Sequence, residues 1–472
     1  MFAGALALMI VTGLPVFAVL LGVASLFAVA GTALGAIDGG VLGALVPRLV
    51  GLLEHDLLQA LPLYAFIGAL LNRLPLAALL HRAATRLFRA SGAAPELAAL
   101  GVGALLAPMN GSVGASLHTL ARGVAPALAA SGASPARATA TICVASTLGV
   151  VVPPSLVLLL LGDAMMAAHT EAVRATDAAV RIVNTQDVMR AALVPGALVL
   201  LLALAWVAWR DRALSRPAPQ RLRGSELALA LGIVAAIVVL LGGVAIGRLY
   251  AVEAAATGGV VLCIGAVAAG ELDRGRLKDV LADAMALTGL LFALLIAATT
   301  FSLVLRAFGT DLLVARALQT LHAHPQVLLA SVLAGFVACS FVLDAFEMVF
   351  LVVPLVMPAV LAAVPDPAWV AVLVLLVLQA GFLLPPFGYA VVMSRSMIGG
   401  APSPRALGRA LVPHLVLQAL LVGAVLAWPG ITRWTRPDEA ASPTAPAPDA
   451  ERLLQEAIER QQKDAAGRAE RP

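Results

Sequence analysis

Apolar residues run through this chain in long blocks, with polar residues gathered in the short segments between them. From Met1 to Trp428 the blocks recur at about 20 residues each, enough for a helix to cross a bilayer core of about 30 Å. They predict spans near 3–30, 60–80, 136–161, 190–209, 225–246, 250–270, 284–305, 367–392 and 410–428. Two further apolar segments, 95–130 and 326–363, are each long enough for two short helical arms. The fold class this predicts is an all-α polytopic membrane protein.

Composition agrees. The 472 residues are 61% hydrophobic and 12% charged, with a mean hydropathy of +0.98. A soluble domain carries about a quarter charged residues. The net charge of +4 makes no case for a nucleic-acid partner, because the arginines sit in short loops between spans. Met1 leads into the first block with no basic segment and no cleavage site, so a retained first span is expected. Cys143, Cys263 and Cys339 each lie alone in an apolar segment, where a free thiol acts as a small hydrophobe. Neither a disulfide nor a metal site is expected from them, and no cofactor.

The arginines orient the chain. Segments 72–92, 210–224, 271–283 and 394–409 are rich in Arg and Lys, and short basic loops stay cytoplasmic. Segment 163–190 mixes Asp163, Glu171, Asp177 and Asp187 with three arginines and suits the outside. All four basic loops fall inside only if 95–130 and 326–363 each enter and leave on one side. Both are therefore expected to be re-entrant hairpins, one opening inward and one outward.

Each hairpin candidate is followed by a tandem proline inside an apolar run: "GVVVPPSLVLLLL" from Gly149 and "GFLLPPFGYAVVM" from Gly381. The offset is 381 − 149 = 232, and it also relates Pro153 to Pro385, Pro154 to Pro386, Pro126 to Pro358 and Gly103 to Gly335. With the opposite orientations from the loop charges, this predicts an inverted repeat. Proline has no N–H to give a helix ladder, and irregular backbone survives at membrane depth only in protein or against a polar cavity. In secondary transporters such broken helices meet near the midplane, where free carbonyls hold cations and helix N-termini attract anions. Pro153, Pro154 and Ser155, with Pro385, Pro386 and Gly388, are thus candidate substrate-binding positions; Gly149 and Gly381 are candidate cation ligands through their carbonyls. The alternative is that the prolines only kink packed helices.

The hairpins supply the rest of each candidate site. In "APMNGSVGASLHTL", Asn110, Gly111, Gly114 and Ser116 can approach a substrate, and the Ser112 hydroxyl is a hard ligand suited to a small cation. Close packing through a small-residue face is the competing account. In the second hairpin Asp344 and Glu347 are three apart, on one helical face. Acids at membrane depth are costly and mark ion or proton paths; otherwise Glu347 pairs with an arginine near the interface. At the offset of 232, Asp344 aligns with Ser112 and Glu347 with Ala115. Thr300 in "AATTFSLVLR" can reach a cavity or bond back to a carbonyl one turn earlier. His118 and His414 lack neighbouring ligands and read as structural.

Taken in order, "TGLPVF", "GSVGAS", "GVVVPPS", "VEAAATGG", "FVLDAFEMVFLVVPLVMP" and "LLPPFG" resemble the large membrane (DctM-like) subunit of TRAP, or tripartite ATP-independent periplasmic, transporters, from the first span to about Trp428. The resemblance implies an elevator-type carrier of the ion-transporter superfamily in the bacterial inner membrane. It implies sodium-driven import of a small organic acid anion delivered by a periplasmic binding protein, with a small four-helix membrane subunit bracing the scaffold. Sodium ions would bind at Ser112, Thr300 and carbonyls near Gly149 and Gly381, beside Asp344 and Glu347. "PFGYAVVMSRS" and "LYAVEAAA" depart from the commonest dicarboxylate-type motifs, which bears on the substrate.

On this reading residues 1–92 are N-terminal scaffold, 93–162 the first core repeat and 163–283 an outer loop with central scaffold spans. Residues 284–393 form the second core repeat, 394–430 the last scaffold span and 431–472 a polar tail, a Pro/Ala/Ser linker with one short helix at 450–465. Two rivals stand beside it. One is a carrier of the same superfamily that works without binding protein or small subunit. The other is an intramembrane serine hydrolase using Ser112 or Ser116, which is disfavoured because His118 lies two residues beyond Ser116 and off its helical face.

Overall fold

Proline and glycine punctuate the helices as their chemistry dictates. The computed structural model describes residues 1–435 apart from 39, 41–42, 55, 89–90, 177–183, 212–222, 246, 320–323, 365 and 399–401. The tail from Arg436, with its expected linker and helix, lies outside the described residues, as do Asp177 of the outer segment and Arg89, Arg212, Arg216 and Arg221 of the basic loops. Among the described residues there are helices and no strand. Seven are long and apolar enough to cross a membrane, or eight if one bent pair counts as a span.

The first block is two helices, Phe2–Thr12 and Val16–Ala33, parted where Gly13 turns left-handed (φ 63°) and Pro15 starts the second helix. The bent pair is Ala60–Arg73 and Leu76–Leu87, with 70° between them. Leu74 is extended because Pro75 follows it. Segment 72–92, expected as a basic loop, is thus largely a helix. Its Leu79, Leu80, His81 and Thr85 face inward at helical spacing, a pattern the interspersed arginines hide.

The helix expected over 284–305 is Arg274–Ala307, 34 residues and about 50 Å at ~1.5 Å per residue. Asp273 caps it, accepting from the Arg276 N–H at 2.7 Å, so the charged turns before the apolar run are helical too. This long helix packs on Val16–Ala33 and Ala60–Arg73. Arg73 fixes the contact, with Nε 2.8 Å from Asp283 and Nη1 3.3 Å from Asp279.

The first hairpin comprises Ala94–Asn110 and Val113–Gly123, turned by Gly111 in the left-handed region (φ 73°), where a side chain would be strained. The second comprises Pro325–Cys339 and Ala345–Ala363. Its second arm widens into a π-turn over Met348–Val352. Pro354 follows, and having no N–H it cannot serve the Phe350 carbonyl, so the ladder regroups. The broken helices are Pro135–Val151 with Leu156–Thr176, and Pro367–Leu383 with Tyr389–Met397. Both Pro-Pro bonds are cis.

Two helices that the sequence reading sets in the scaffold, Thr185–Arg210 and Pro404–Ala427, pack on these broken helices. Gly196 lies against the Val151 carbonyl, and a Cβ there would also sit 3.2 Å from Pro153 Cδ. Trp369 donates to Val425 O at 2.8 Å, and Gln418 Nε2 donates to Gln379 Oε1 at 2.8 Å and Leu376 O at 3.1 Å. Uniformly apolar spans carry no sequence mark of which neighbour they choose. Polar contacts fix the other end: Arg137 lies 2.6 Å from both Glu96 and Asp211. Arg210 pairs with the same two acids, and the Thr141 hydroxyl donates to Glu96 at 3.1 Å. With both acids almost wholly buried, the network joins the first hairpin, the first broken helix and Thr185–Arg210.

Candidate functional site

The two hairpin tips are built alike. Ser112 is extended (φ −135°, ψ 153°), and its hydroxyl accepts from the Ala115 N–H at 3.1 Å, capping the second arm. Asp344, 232 residues on by 344 − 112, is also extended and accepts from the Phe346 and Glu347 N–H groups at 2.9 and 3.2 Å. Glu347 returns the bond, taking the Asp344 N–H at 2.9 Å, which completes a capping box. Glu347 is therefore engaged with the tip backbone, in place of the arginine considered from the sequence. Ser116 donates to Ser112 O at 2.9 Å, so the hydroxyl that a hydrolase would need is tied to the backbone.

Each tip rests on its own repeat's break. A Cβ on Gly149 would lie 2.5 Å from Ala107 O, and one on Gly381 would collide with the Ser340 hydroxyl. Phe341 meets Phe387 edge to face with centroids 6.4 Å apart. The glycines thus act by admitting a neighbour. Val150 and Phe382 are the carbonyls that the tandem prolines deprive of both helical donors, since residues three and four further on are Pro153 and Pro154, or Pro385 and Pro386. The Gly381 carbonyl, expected free, accepts from the Leu384 N–H at 3.1 Å. Beyond the breaks, Ser155 Oγ accepts from the Leu158 N–H at 3.2 Å, and Gly388 starts the next helix with its N–H on Leu384 O at 2.8 Å.

The sequence reading missed Tyr389. A Cβ on Gly114 would be 3.3 Å from its hydroxyl, so Tyr389 of the second repeat fills the space that the first tip leaves open. It also lies within electrostatic reach of Asp344 and Glu347. Tyr389 therefore packs against the first tip and faces the charge of the second. Its signal was a tyrosine next to a helix break in an apolar segment, where a phenol needs a partner. Cys143 adds a second link between the repeats, its thiol 3.5 Å from Ala390 O.

Asn110 is 1% exposed, and neither polar atom of its side chain has a partner among the described residues. It lines a cavity of about 430 Å³ beside Ala60–Arg73. Thr300 lies on the long helix and donates to Ile296 O at 2.8 Å; this is the back-bond anticipated as its alternative.

The all-helical architecture agrees with known proteins. The family model for the tripartite ATP-independent periplasmic transporter, DctM component, matches residues 3–431. The chain belongs to this family. As a DctM-family permease it is a membrane transport protein and not an enzyme, which removes the hydrolase reading. It is 26% identical over 197 residues to the sialic acid TRAP transporter large permease protein SiaM of Vibrio cholerae, covering 41% of this chain and 45% of that one. It is 22% identical over 341 residues to a putative TRAP transporter large permease protein of Haemophilus influenzae, covering 70% and 79%. The Vibrio match thus spans less than half of that relative. Among solved structures, the Alcanivorax borkumensis YdaH transporter, described as having an unusual topology, superposes with a TM-score of 0.61 at 17% identity. It covers 83% of this chain and 90% of its own, a likeness of fold alone.

Proposed function

We propose that this DctM-family permease is the large subunit of a sodium-driven importer of a small organic acid anion in the bacterial inner membrane. A periplasmic binding protein delivers the anion, and a small four-helix membrane subunit braces the frame. The observation that carries this reading is the pair of capped tips, each resting on a proline break whose tandem prolines deny one carbonyl its helical donors. Hydroxyl and carbonyl oxygens are the hard ligands that a small cation takes, and helix N-termini favour a carboxylate.

Sodium is held by Ser112 and by carbonyls at 149–150 and 381–382, all in the moving body, while Thr300 lies on the long helix of the frame and does not travel with it. A bound cation also screens the substrate anion from Asp344 and Glu347. The moving body comprises both hairpins, both broken helices and the helices Thr185–Arg210 and Pro404–Ala427 that pack on them. The frame comprises residues 1–92 and 224–307. This division differs from the one the sequence suggested and follows the packing of the long helix on the first spans.

The test is thermal unfolding of the purified chain in NaCl against KCl at matched ionic strength, beside Ser112→Ala. A ligand bound only by the folded state stabilises it by RT ln(1 + [L]/Kd), about 2.7 kcal/mol at a hundredfold excess. A sodium-specific rise that Ser112→Ala weakens is expected. Equal curves in the two salts would overturn the sodium assignment and direct attention to protons.

A further inference from the structure

The cavity of about 430 Å³ lies between Ala60–Arg73, the second arm of the first hairpin and the long helix, and it falls in the size range of small-molecule sites. Its polar lining comprises Asn72, Arg73, Asn110, His118, Arg122 and Asp283. Half of these are already engaged. Arg73 is held by Asp283 and Asp279, and Asn72 accepts from the Thr119 hydroxyl.

Arg122 and Asn110 are different. Arg122 lines the cavity from its exposed end, and among the described residues no acid pairs with it. Asn110 sits at the buried end with both amide atoms unpartnered among the described residues, which is costly unless something else bonds them. His118, on the same helical face as Arg122 one turn earlier, lies within electrostatic reach of both Arg122 and Arg73.

A free guanidinium, an unsatisfied amide and an imidazole converge on one space. The only carboxylate lining it among the described residues, Asp283, is bound to an arginine. This donor set fits an anion.

We propose that this cavity is an organic-anion site on the side of the basic segments, with Arg122 as the charge partner, His118 beside it and Asn110 at its base. It rests on the transport reading above for its place in a cycle: an anion leaving the tips passes Asn110 and is held by Arg122 before release. Its existence as an anion site does not depend on sodium coupling. His118, read from sequence as structural, becomes part of the lining.

The test places a single reactive thiol in the cavity, Leu287→Cys with Cys263 and Cys339 replaced by Ala, in the full-length chain in inside-out membrane vesicles. The probes are a sulfonate-bearing and a trimethylammonium-bearing methanethiosulfonate, each scaled to its rate with a free thiol. The sulfonate reagent is expected to react about tenfold faster than the cationic one, with a rate that saturates with concentration. Arg122→Gln abolishes both features, while Arg122→Lys keeps the preference and shows that folding is intact.

Equal rates, a preference that Arg122→Gln leaves unchanged, or a preference without saturation would each overturn the site. The sodium titration is read separately. If it fails while saturating anion labelling persists, the coupling ion is wrong and the cavity stands; the converse overturns the cavity alone.

Discussion

Ser112 and Asp344 are chemically unlike and 232 residues apart, yet each caps the second arm of its hairpin through the same backbone bond, from Ala115 N–H in one and Glu347 N–H in the other. The offset joins both the caps and their donors, since 347 − 115 is also 232. Ser112→Ala is expected to cost about 1 kcal/mol through the lost cap, read as a lower melting temperature in potassium salt. Ser112→Thr keeps the cap and should melt close to the parent. Asp344→Asn retains a capping oxygen and should be milder than Asp344→Ala in the same assay.

The aligned glycines Gly103 and Gly335 should respond unequally to alanine. A Cβ on Gly103 would lie 2.6 Å from both the Ala145 carbonyl oxygen and its methyl, whereas one on Gly335 meets nothing within 4 Å. Gly103→Ala is expected to destabilise by about 1–3 kcal/mol through overpacking, and Gly335→Ala to leave the melting temperature unchanged. Gly149→Ala, with a backbone carbonyl 2.5 Å away, belongs with Gly103. Thermal scans of the three variants in one detergent check the ordering.

The Glu96–Arg137–Arg210–Asp211 network is buried on its acidic side, with Glu96 and Asp211 side chains only 4% and 3% exposed. Removing one partner from such a cluster strands the others, at about 3–5 kcal/mol. Glu96→Ala should therefore cost several times more than Arg433→Ala, whose partner Asp366 lies near the surface and whose own side chain is 56% exposed. An exposed pair of that kind contributes about 0–1 kcal/mol. Urea or thermal unfolding of the two variants gives the comparison.

Arg306 on the long helix grips Glu171 with both nitrogens, at 2.6 and 2.9 Å, and donates to Pro354 O at 3.2 Å. If the first broken helix moves against the long helix, this contact must part in each cycle. A Glu171→Cys, Arg306→Cys double variant treated with a short bifunctional thiol reagent should lose uptake, while each single variant retains it under the same treatment. Uptake that survives verified crosslinking would place both helices in one body.

The breaks and the first turn were legible in the chain because their cause is local. Proline withdraws a donor wherever it stands, and Gly111 permits a left-handed turn regardless of surroundings. Helix ends were harder. The charged turns of Arg274–Ala307 look like loop until Asp273 is recognised as a cap, and Leu76–Leu87 hides its apolar face among arginines. What depends on a distant partner was not legible: Tyr389 against Gly114, the close approach at Gly103 but not at Gly335, and the choice of Gln379 as neighbour by Gln418. The free carbonyls are also a local matter: tandem prolines leave Val150 and Phe382 without helical donors, one residue beyond Gly149 and Gly381.

The Gln418–Gln379 bond also limits how the machine can travel. Gln418 is tied both to that amide and to Leu376 O, in surroundings that leave both glutamines buried. A ratchet of one helical turn, about 5.4 Å, would strand two side-chain amides in an apolar interior at once. The pair works as a register key between the last span and the second broken helix, so neither can slip past the other like a piston in a sleeve. Whatever displacement carries a solute across must take them as cargo together.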